Sequence, residues 1–190
     1  MSSSFSRKAA ALVAAFACVA VSAHSASAQA KMSGSGFGLG YTDIGPTLGL
    51  GGLNGASASF GGRFEHAIKN LPDLGGGVLG IQVAAEYYSW SSSFVGYSWS
   101  YKYIPFGVTA NYHFKMSEPK FDPFVGLGLG YNLVSCSFTG QGNTDCGYSS
   151  GIYAIGRAGA RYFFSPSMAA YGDVGAGGAT LNVGLMFKLH

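Results

Sequence analysis

The chain has 190 residues, of which only 10% are charged, 15% are aromatic and 31 are glycine. An average globular domain is about a quarter charged, so this sequence cannot supply a water-facing surface of ordinary polarity. The formal net charge of +3 gives no support for nucleic acid or a polybasic membrane contact as a partner. After residue 30 the chain has no run of about 18 apolar residues, which excludes spanning helices. A chain that is apolar mainly by alternation points instead to a transmembrane β-barrel.

Residues 1–28 are predicted to be a secretory signal peptide. Arg7 and Lys8 form a short basic region, an apolar run of thirteen residues follows, and small residues lead to a cleavage site after Ala28. The apolar run is too short for a spanning helix. Residues 29–190 are therefore expected to form the mature protein, a single barrel domain exported from the cytoplasm.

Eight segments of the mature chain alternate large apolar side chains with small or polar ones, which is the period of a β-strand with two unlike faces. The predicted strands are residues 36–44, 57–68, 78–90, 99–114, 123–134, 151–164, 168–174 and 179–190. In the first of them Phe37, Leu39 and Tyr41 are expected to face outward. Residues 45–55 and the serine-rich residues 91–98 are expected to form loops, and residues 115–122 are expected to form a short charged turn. Pro105 has no N–H for a sheet ladder and is predicted to mark a bulge.

The last segment has the most regular pattern and runs to the end of the chain. One face carries Leu181, Val183, Leu185, Phe187 and Leu189. The other face carries Thr180, Asn182, Gly184, Met186 and Lys188. In a closed barrel the last strand pairs with the first and leaves no open edge. The sequence thus predicts an all-β, eight-stranded antiparallel up-and-down transmembrane barrel.

Aromatic residues concentrate near the predicted strand ends, where membrane barrels carry girdles of Trp and Tyr. Those that share this position are Tyr87, Trp90, Trp99, Tyr101, Tyr112, Phe114, Tyr131, Tyr162 and Phe164. Lys102 shares the outward phase of Ile104 near one rim. Its ammonium group suits a lipopolysaccharide phosphate, although an ordinary loop lysine has the same pattern.

Two motifs resemble the small outer-membrane β-barrel proteins of Gram-negative bacteria, the eight-stranded OmpA-barrel, OmpX-like and porin-like group. Residues 122–132, DPFVGLGLGYN, are similar to a strand of that family, and Gly184, Phe187 and Leu189 are similar to its assembly signal. The family signal normally ends on Phe, whereas this chain ends Leu189-His190. The resemblance implies an outer-membrane location and recognition by the outer-membrane insertion machinery. It also implies contact with outer-membrane lipid and lipopolysaccharide, no cofactor, and a monomer with an unidentified host or surface ligand.

Cys136 and Cys146 are the cysteines of the predicted mature chain, and both fall in one predicted outer loop, residues 135–150. Export to an oxidising compartment favours a disulfide that closes this loop. Two free thiols and a metal pair are the alternatives, but no histidine or further cysteine lies nearby to complete a metal site.

Seven charged residues are predicted to point into the barrel and form a polar network in its lumen. They are Arg63, Glu65, Glu86, Arg157, Arg161, Asp173 and Lys188. Such residues can line an ion channel, or they can pair and plug the barrel, because eight strands enclose barely enough room for side chains. Four positive against three negative charges favour the plug, since a selective pore usually carries charges of one sign.

A barrel of this kind could have one of three functions. The favoured one is a structural or surface-interacting barrel of the cell envelope without catalysis, and the alternative is a porin-like narrow channel for small or hydrophobic solutes. The third, a lipid-modifying enzyme, needs a nucleophile held by a histidine and an acid. Neither His66 nor His113 has the Ser at i+2 that a deacylase-type pattern requires, because Ile68 and Lys115 stand there. No catalytic or metal-binding residue is therefore predicted.

Overall fold

The computed structural model describes residues 36–140 and 147–189, and these form eight antiparallel strands in a closed barrel. The strands are β1 (Thr42–Leu50), β2 (Ala58–Leu71), β3 (Gly77–Phe94), β4 (Tyr97–His113), β5 (Phe121–Thr139), β6 (Gly151–Ser165), β7 (Met168–Ala176) and β8 (Leu181–Leu189). Each strand pairs with its neighbour in the sequence, and β8 closes the barrel by pairing with β1. The predicted eight-stranded up-and-down barrel is confirmed.

The barrel has two unlike ends. At the terminal end β1 begins, β8 ends, and residues 72–76, 114–120 and 166–167 make short turns, the first of which contains the 3-10 turn Pro72–Leu74. At the loop end the chain passes through residues 51–57, 95–96 and 177–180, and through the β5–β6 connection, of which residues 140 and 147–150 are described. Among the described residues, no helix is long and apolar enough to cross a membrane.

The β3–β4 hairpin is longer than predicted. Residues 91–98 were expected to form a serine-rich loop, but both strands continue through them to a two-residue turn at Val95 and Gly96. Both turn residues have positive φ, 30° at Val95 and 80° at Gly96. Turns of this kind match the twist of the flanking strands, so they keep a long hairpin paired to its tip.

The prediction for β1 is displaced by six residues, because β1 runs from Thr42 to Leu50 and includes Pro46. The strand tolerates this proline where its ladder with β8 is interrupted. Ile44 pairs with Phe187 and Thr47 pairs with Gly184, but the two positions between them make no pair. Because proline has no N–H to donate, it destabilises a sheet least at a position where the ladder hydrogen bonds are already absent.

Pro105 is accommodated in the same way, and the predicted bulge there is wrong. On either side of it β3 and β4 keep one register, with Ala85 opposite Phe106 and Tyr88 opposite Tyr103. The two intervening positions lack pairs, so the proline breaks the ladder without inserting a residue. The register shifts of the barrel lie instead between Ala67 and Lys69 on β2 and between Phe163 and Ser165 on β6.

The outer face of the barrel carries an apolar band that runs around it. Ile44, Phe60, Val83, Val108, Leu129, Ile152, Val174 and Leu185 come from the eight strands in turn, and all are exposed. Monomeric soluble proteins rarely expose contiguous apolar patches above a few hundred Å². Such a band suits the hydrocarbon core of a bilayer, where the closed barrel also satisfies its backbone hydrogen bonds.

Replacing Leu129 by Arg is predicted to lower the free energy of unfolding in lipid vesicles by about 2–4 kcal/mol, the cost of an arginine near the middle of a bilayer. Leu129 is 66% exposed on β5, half-way along the apolar band. Val95→Arg is the matched control, because Val95 is 81% exposed at the hairpin tip. We expect the control to change stability by less than about 0.5 kcal/mol. Equal losses in denaturant titrations of the two variants would contradict a lipid-facing band.

Candidate functional site: the charged interior

Glu65 on β2 is the centre of a hydrogen-bonded network inside the terminal half of the barrel. Its side chain is fully buried and accepts hydrogen bonds from Arg63 at 2.6 Å, from Arg161 and from the Asn111 amide at 2.9 Å. The fourth partner is His113, whose Nε2 lies 2.9 Å from Glu65 Oε1. A buried carboxylate with this many donors is fully paired, which offsets the cost of removing it from water.

Glycines on the inner face make room for these side chains. A Cβ at Gly80 on β3 would lie 2.5 Å from Glu65 Oε1, and a Cβ at Gly126 on β5 would lie 2.0 Å from Asn111 Oδ1. No real side chain fits at such distances. The small inner face that the alternation predicts is thus the space that the charged network occupies.

Arg161 on β6 joins three carboxylates from three other strands. Its guanidinium approaches Asp43 at 3.3 Å, Asp122 at 3.2 Å and Glu65, and the side chain is fully buried. The rigid fork of an arginine suits several carboxylates at once, whereas a lysine offers one compact charge. Arg161 therefore ties β1, β2 and β5 to β6 through the middle of the barrel.

His113 on β4 lies between two carboxylates. Its Nδ1 is 2.9 Å and 3.0 Å from the two oxygens of Asp122, while Nε2 faces Glu65. A neutral imidazole has only one N–H, so donating to both carboxylates requires the doubly protonated ring. His113 thus links β4 to Asp122 on β5 and to Glu65 on β2.

A second group of polar side chains lies toward the loop end. Arg157 on β6 pairs with Asp173 on β7 and donates to the carbonyl oxygen of Ala179 at 2.9 Å. Asn182 on β8 donates to Asp173 at 3.3 Å. Arg63 Nη1 lies 4.0 Å from Asp173 Oδ2, which connects this group to the network around Glu65.

On the opposite side of the interior, Ser59 on β2 donates to Glu86 on β3 at 2.7 Å. The polar groups thus extend along the barrel from the terminal half toward the loop end.

Aromatic rings cover the charged network at the terminal end. Phe37, which precedes β1, stacks on His113 with 3.7 Å between ring centres and lies 4.6 Å from the Arg161 guanidinium carbon. The Arg63 guanidinium carbon lies 3.7 Å from the centre of the Tyr171 ring. Cations over aromatic faces are attracted by the ring quadrupole, more strongly where water is excluded.

The expectation that Phe37 and Tyr41 face outward is wrong, because both rings are buried inside the barrel end. Residues 36–41 precede β1, and backbone hydrogen bonds join them to the barrel end, from Gly36 N–H to Pro119 and from Gly40 N–H to Ala67. This segment, named the end cap below, turns its apolar rings onto the buried charges.

Little space remains inside. The interior cavity has a volume of about 40 Å³ and is lined by Arg63, Thr109, Tyr153, Asp173 and Asn182, among others. That volume holds roughly three water molecules. Arg63 Nη1, Thr109 Oγ1 and Asn182 Oδ1 are buried without a protein hydrogen bond, so water is a suitable partner for them. A larger cleft of about 550 Å³ opens at the terminal end beside the end cap.

Six of the seven predicted lumen residues lie in the interior, of which Glu86 is half-buried and the others are buried. The six are Arg63, Glu65, Glu86, Arg157, Arg161 and Asp173. Lys188 differs from them, because it is exposed at the terminal end with its Nζ 5.6 Å from the centre of the Tyr41 ring.

The sequence reasoning missed Asp43 and Asp122, both partners of Arg161. The first strand was predicted to begin six residues before β1 does, and its alternation placed Asp43 on the outward face. Asp122 was assigned to a turn. Extending the inward phase of β5 back by two residues from Phe124 would have placed Asp122 inside the barrel.

The predicted disulfide and assembly signal remain predictions. Cys136 lies on β5 opposite Tyr101, but Cys146 lies outside the described residues. Gly184, Phe187 and Leu189 lie on β8 opposite Thr47, Ile44 and Thr42 of β1, at the closing seam of the barrel.

Neither histidine considered for catalysis contacts a serine. His113 faces the two carboxylates, and His66 Nδ1 lies 2.7 Å from the Thr42 hydroxyl on the outer surface. Within residues 36–140 and 147–189, no group of three or more His, Cys, Asp or Glu side chains is arranged to hold a metal ion.

Among solved structures, the chain is similar in fold to transmembrane β-barrels. The N-terminal barrel domain of Pseudomonas aeruginosa OprF is similar with a TM-score of 0.51 and 14% identity, covering 80% of this chain and all of that one. The outer-membrane protein OprG of the same organism has a TM-score of 0.50 and 12% identity over 80% and 97% of the two chains. A de novo designed transmembrane β-barrel has a TM-score of 0.50 and 18% identity over 80% and 98%.

No family model matches the chain, and no curated protein matches it significantly. At identities of 12–18% the likeness shows the fold. The fold is that of an eight-stranded transmembrane β-barrel.

Proposed function

We propose that the protein is an outer-membrane barrel of a Gram-negative cell envelope with a structural and surface-interacting role, without a pore and without catalysis. The observation that carries this proposal is the paired interior. Three arginines and His113 contact four carboxylates there, Glu86 accepts a hydrogen bond from Ser59, and the interior cavity has a volume of about 40 Å³. A hydrated ion needs a continuous path several water molecules wide, whereas this cavity holds roughly three waters in all.

The apolar band and the two unlike ends support an orientation in the outer membrane. Bacterial barrels place short turns and both chain termini in the periplasm and longer loops outside. The terminal end therefore faces the periplasm and the loop end is extracellular. The insertion machinery would recognise Gly184, Phe187 and Leu189 during assembly, and the folded monomer would contact outer-membrane lipid and lipopolysaccharide. A host or surface ligand would meet the loop end.

Planar-bilayer recording tests this role. The purified barrel, folded in detergent and added to a lipid bilayer, is expected to produce no stepwise conductance above the buffer baseline. A barrel of known conductance, added under the same conditions, controls for insertion and sensitivity. Reproducible steps that change in size with Arg157→Gln or Glu86→Gln would overturn the proposal in favour of the narrow channel.

A further inference from the structure

Three strands continue beyond the rest of the barrel at the loop end. β2 pairs with β3 only as far as Tyr87, and β6 pairs with β5 only as far as Asn132. β3, β4 and β5 stay paired with each other further toward the loop end. There Ser98 on β4 pairs with Ser93 on β3 and with Thr139 on β5. The result is a three-stranded sheet that projects past the closed barrel. Its inward face carries Tyr88, Tyr101 and Tyr103, which are buried against Leu53 and Ala179, so the outward face is the free one.

The outward face of this projection, named the hydroxyl face, is an array of three rows. In order across β3, β4 and β5 the rows are Ser89, Lys102 and Ser135, then Ser91, Ser100 and Ser137, then Ser93, Ser98 and Thr139. Ser98 is half-buried and the others are exposed. The array presents eight hydroxyls and one ammonium group on adjacent strands about 4.8 Å apart.

The hydroxyl face continues the apolar band without a gap. One row nearer the membrane, the same outward phase carries Tyr87, Ile104 and Leu133, all exposed apolar side chains. Successive rows are about 7 Å apart along a strand. The headgroup layer of a bilayer is about 5–8 Å deep on each side of the hydrocarbon core. The row with Lys102 therefore lies where lipid headgroups pack against the protein.

The charges at this end suit an anionic partner. Within the part of the chain that the structure describes, Lys102 is the one charged residue on the outer surface of the loop end. The described carboxylates lie in the interior or, as Asp73 and Glu118 do, in turns at the terminal end. A phosphate beside Lys102 would thus gain the attraction of a cation, and none of the described carboxylates lies on that surface to oppose it.

We infer that the hydroxyl face binds the phosphorylated sugar headgroup of the outer-leaflet glycolipid, lipopolysaccharide. Lys102 pairs with a phosphate, and the serine rows exchange hydrogen bonds with sugar hydroxyls, since both groups donate and accept. This inference rests on the proposed outer-membrane location. It assigns the headgroup contact to one sector of the barrel, β3 to β5, and the other five strands lack the projecting array.

The test measures binding of labelled lipopolysaccharide to the full-length mature barrel in phosphatidylcholine nanodiscs. Lys102→Gln is expected to raise the dissociation constant about fivefold, the effect of one cation at an anionic membrane surface. Lys115→Gln, which removes an exposed lysine at the terminal end, is the matched control and is expected to leave binding unchanged.

A second pair of variants isolates the hydroxyls. Ser91, Ser100 and Ser137 are changed together to Thr or together to Val, two side chains of the same shape of which only Thr keeps the hydroxyl. Both favour a strand. The Val triple is expected to bind lipopolysaccharide at least fivefold more weakly than the Thr triple.

Three outcomes would overturn the inference. They are equal binding by wild type and Lys102→Gln, equal binding by the two triples, and displacement by phosphatidylglycerol as effective as displacement by lipopolysaccharide. A heat-dependent shift in gel migration reports that each variant is a folded barrel. Loss of that shift in the wild type would contradict the membrane barrel itself, whereas loss of binding with the shift intact contradicts only the glycolipid site.

Discussion

Replacing Arg161 by Met is expected to lower the free energy of unfolding by about 3–5 kcal/mol, because the change leaves buried carboxylates without their shared cation. Asp43, Asp122 and Glu65 surround this guanidinium, and Arg161 is fully buried. The measurement is a urea titration of the barrel in lipid vesicles, followed by the fraction that migrates as the folded form on an unheated gel.

Lys120→Met provides the control, since Lys120 is an exposed cation of the β4–β5 turn. Its effect is expected to stay within about 0.5 kcal/mol. The double variant Arg161→Met with Glu65→Gln gives a second reading. Removing both charges should cost less than the sum of the single changes, with a coupling of about 0.5–3 kcal/mol. An Arg161→Met barrel as stable as the wild type would show that the network does not stabilise the fold.

Replacing Phe37 by Ala is expected to cost about 3 kcal/mol, the lower part of the usual range for a buried phenylalanine. The ring is buried against His113 and Arg161, so the change removes apolar packing, the stack on the imidazole and the contact with the guanidinium. It also opens the charged network to water at the terminal end. The same urea titration measures the loss.

Leu39→Ala is the control for Phe37→Ala. It shortens an exposed side chain of the end cap and leaves the buried packing of Phe37 intact. Leu39 lies two residues further along the same segment and is 60% exposed. Its replacement should leave the unfolding midpoint nearly unchanged. Equal shifts for the two variants would mean that the end cap does not close the barrel as described.

The number of strands and their alternation were predictable from the sequence because a half-buried strand imposes a strict period of two. β6, β7 and β8 begin or end within two residues of the predicted bounds. Errors arose where local composition gave a misleading signal. The serines from Ser91 to Ser98 suggested a loop, yet their pairing across the β3–β4 hairpin is continuous. Pro46 likewise suggested a loop, although a strand can hold a proline at a gap in its ladder.

The inward-facing charges on well-predicted strands were also identified, because phase alone decides which way Arg63, Glu65 and Arg161 point. Their partners were harder to predict. Asp43 pairs with Arg161 across the barrel from a distant strand, a contact that depends on register around the whole circumference. The end cap was misread because Phe37 and Tyr41 alternate like a strand but belong to a segment that precedes β1.

Cysteine accessibility in whole cells tests the central claim most directly, namely a barrel that crosses the outer membrane with its loop end outside. Val95→Cys places a thiol at the tip of the β3–β4 hairpin, and Asp73→Cys places one in the β2–β3 turn at the other end. Each variant also carries Cys136→Ser and Cys146→Ser, so that the introduced thiol is the one that reacts. It is expressed in Gram-negative cells and treated with a maleimide that cannot cross membranes. We expect labelling of Val95→Cys in intact cells and of Asp73→Cys only after the outer membrane is opened. Equal labelling of both variants in intact cells, or the reverse order, would contradict it.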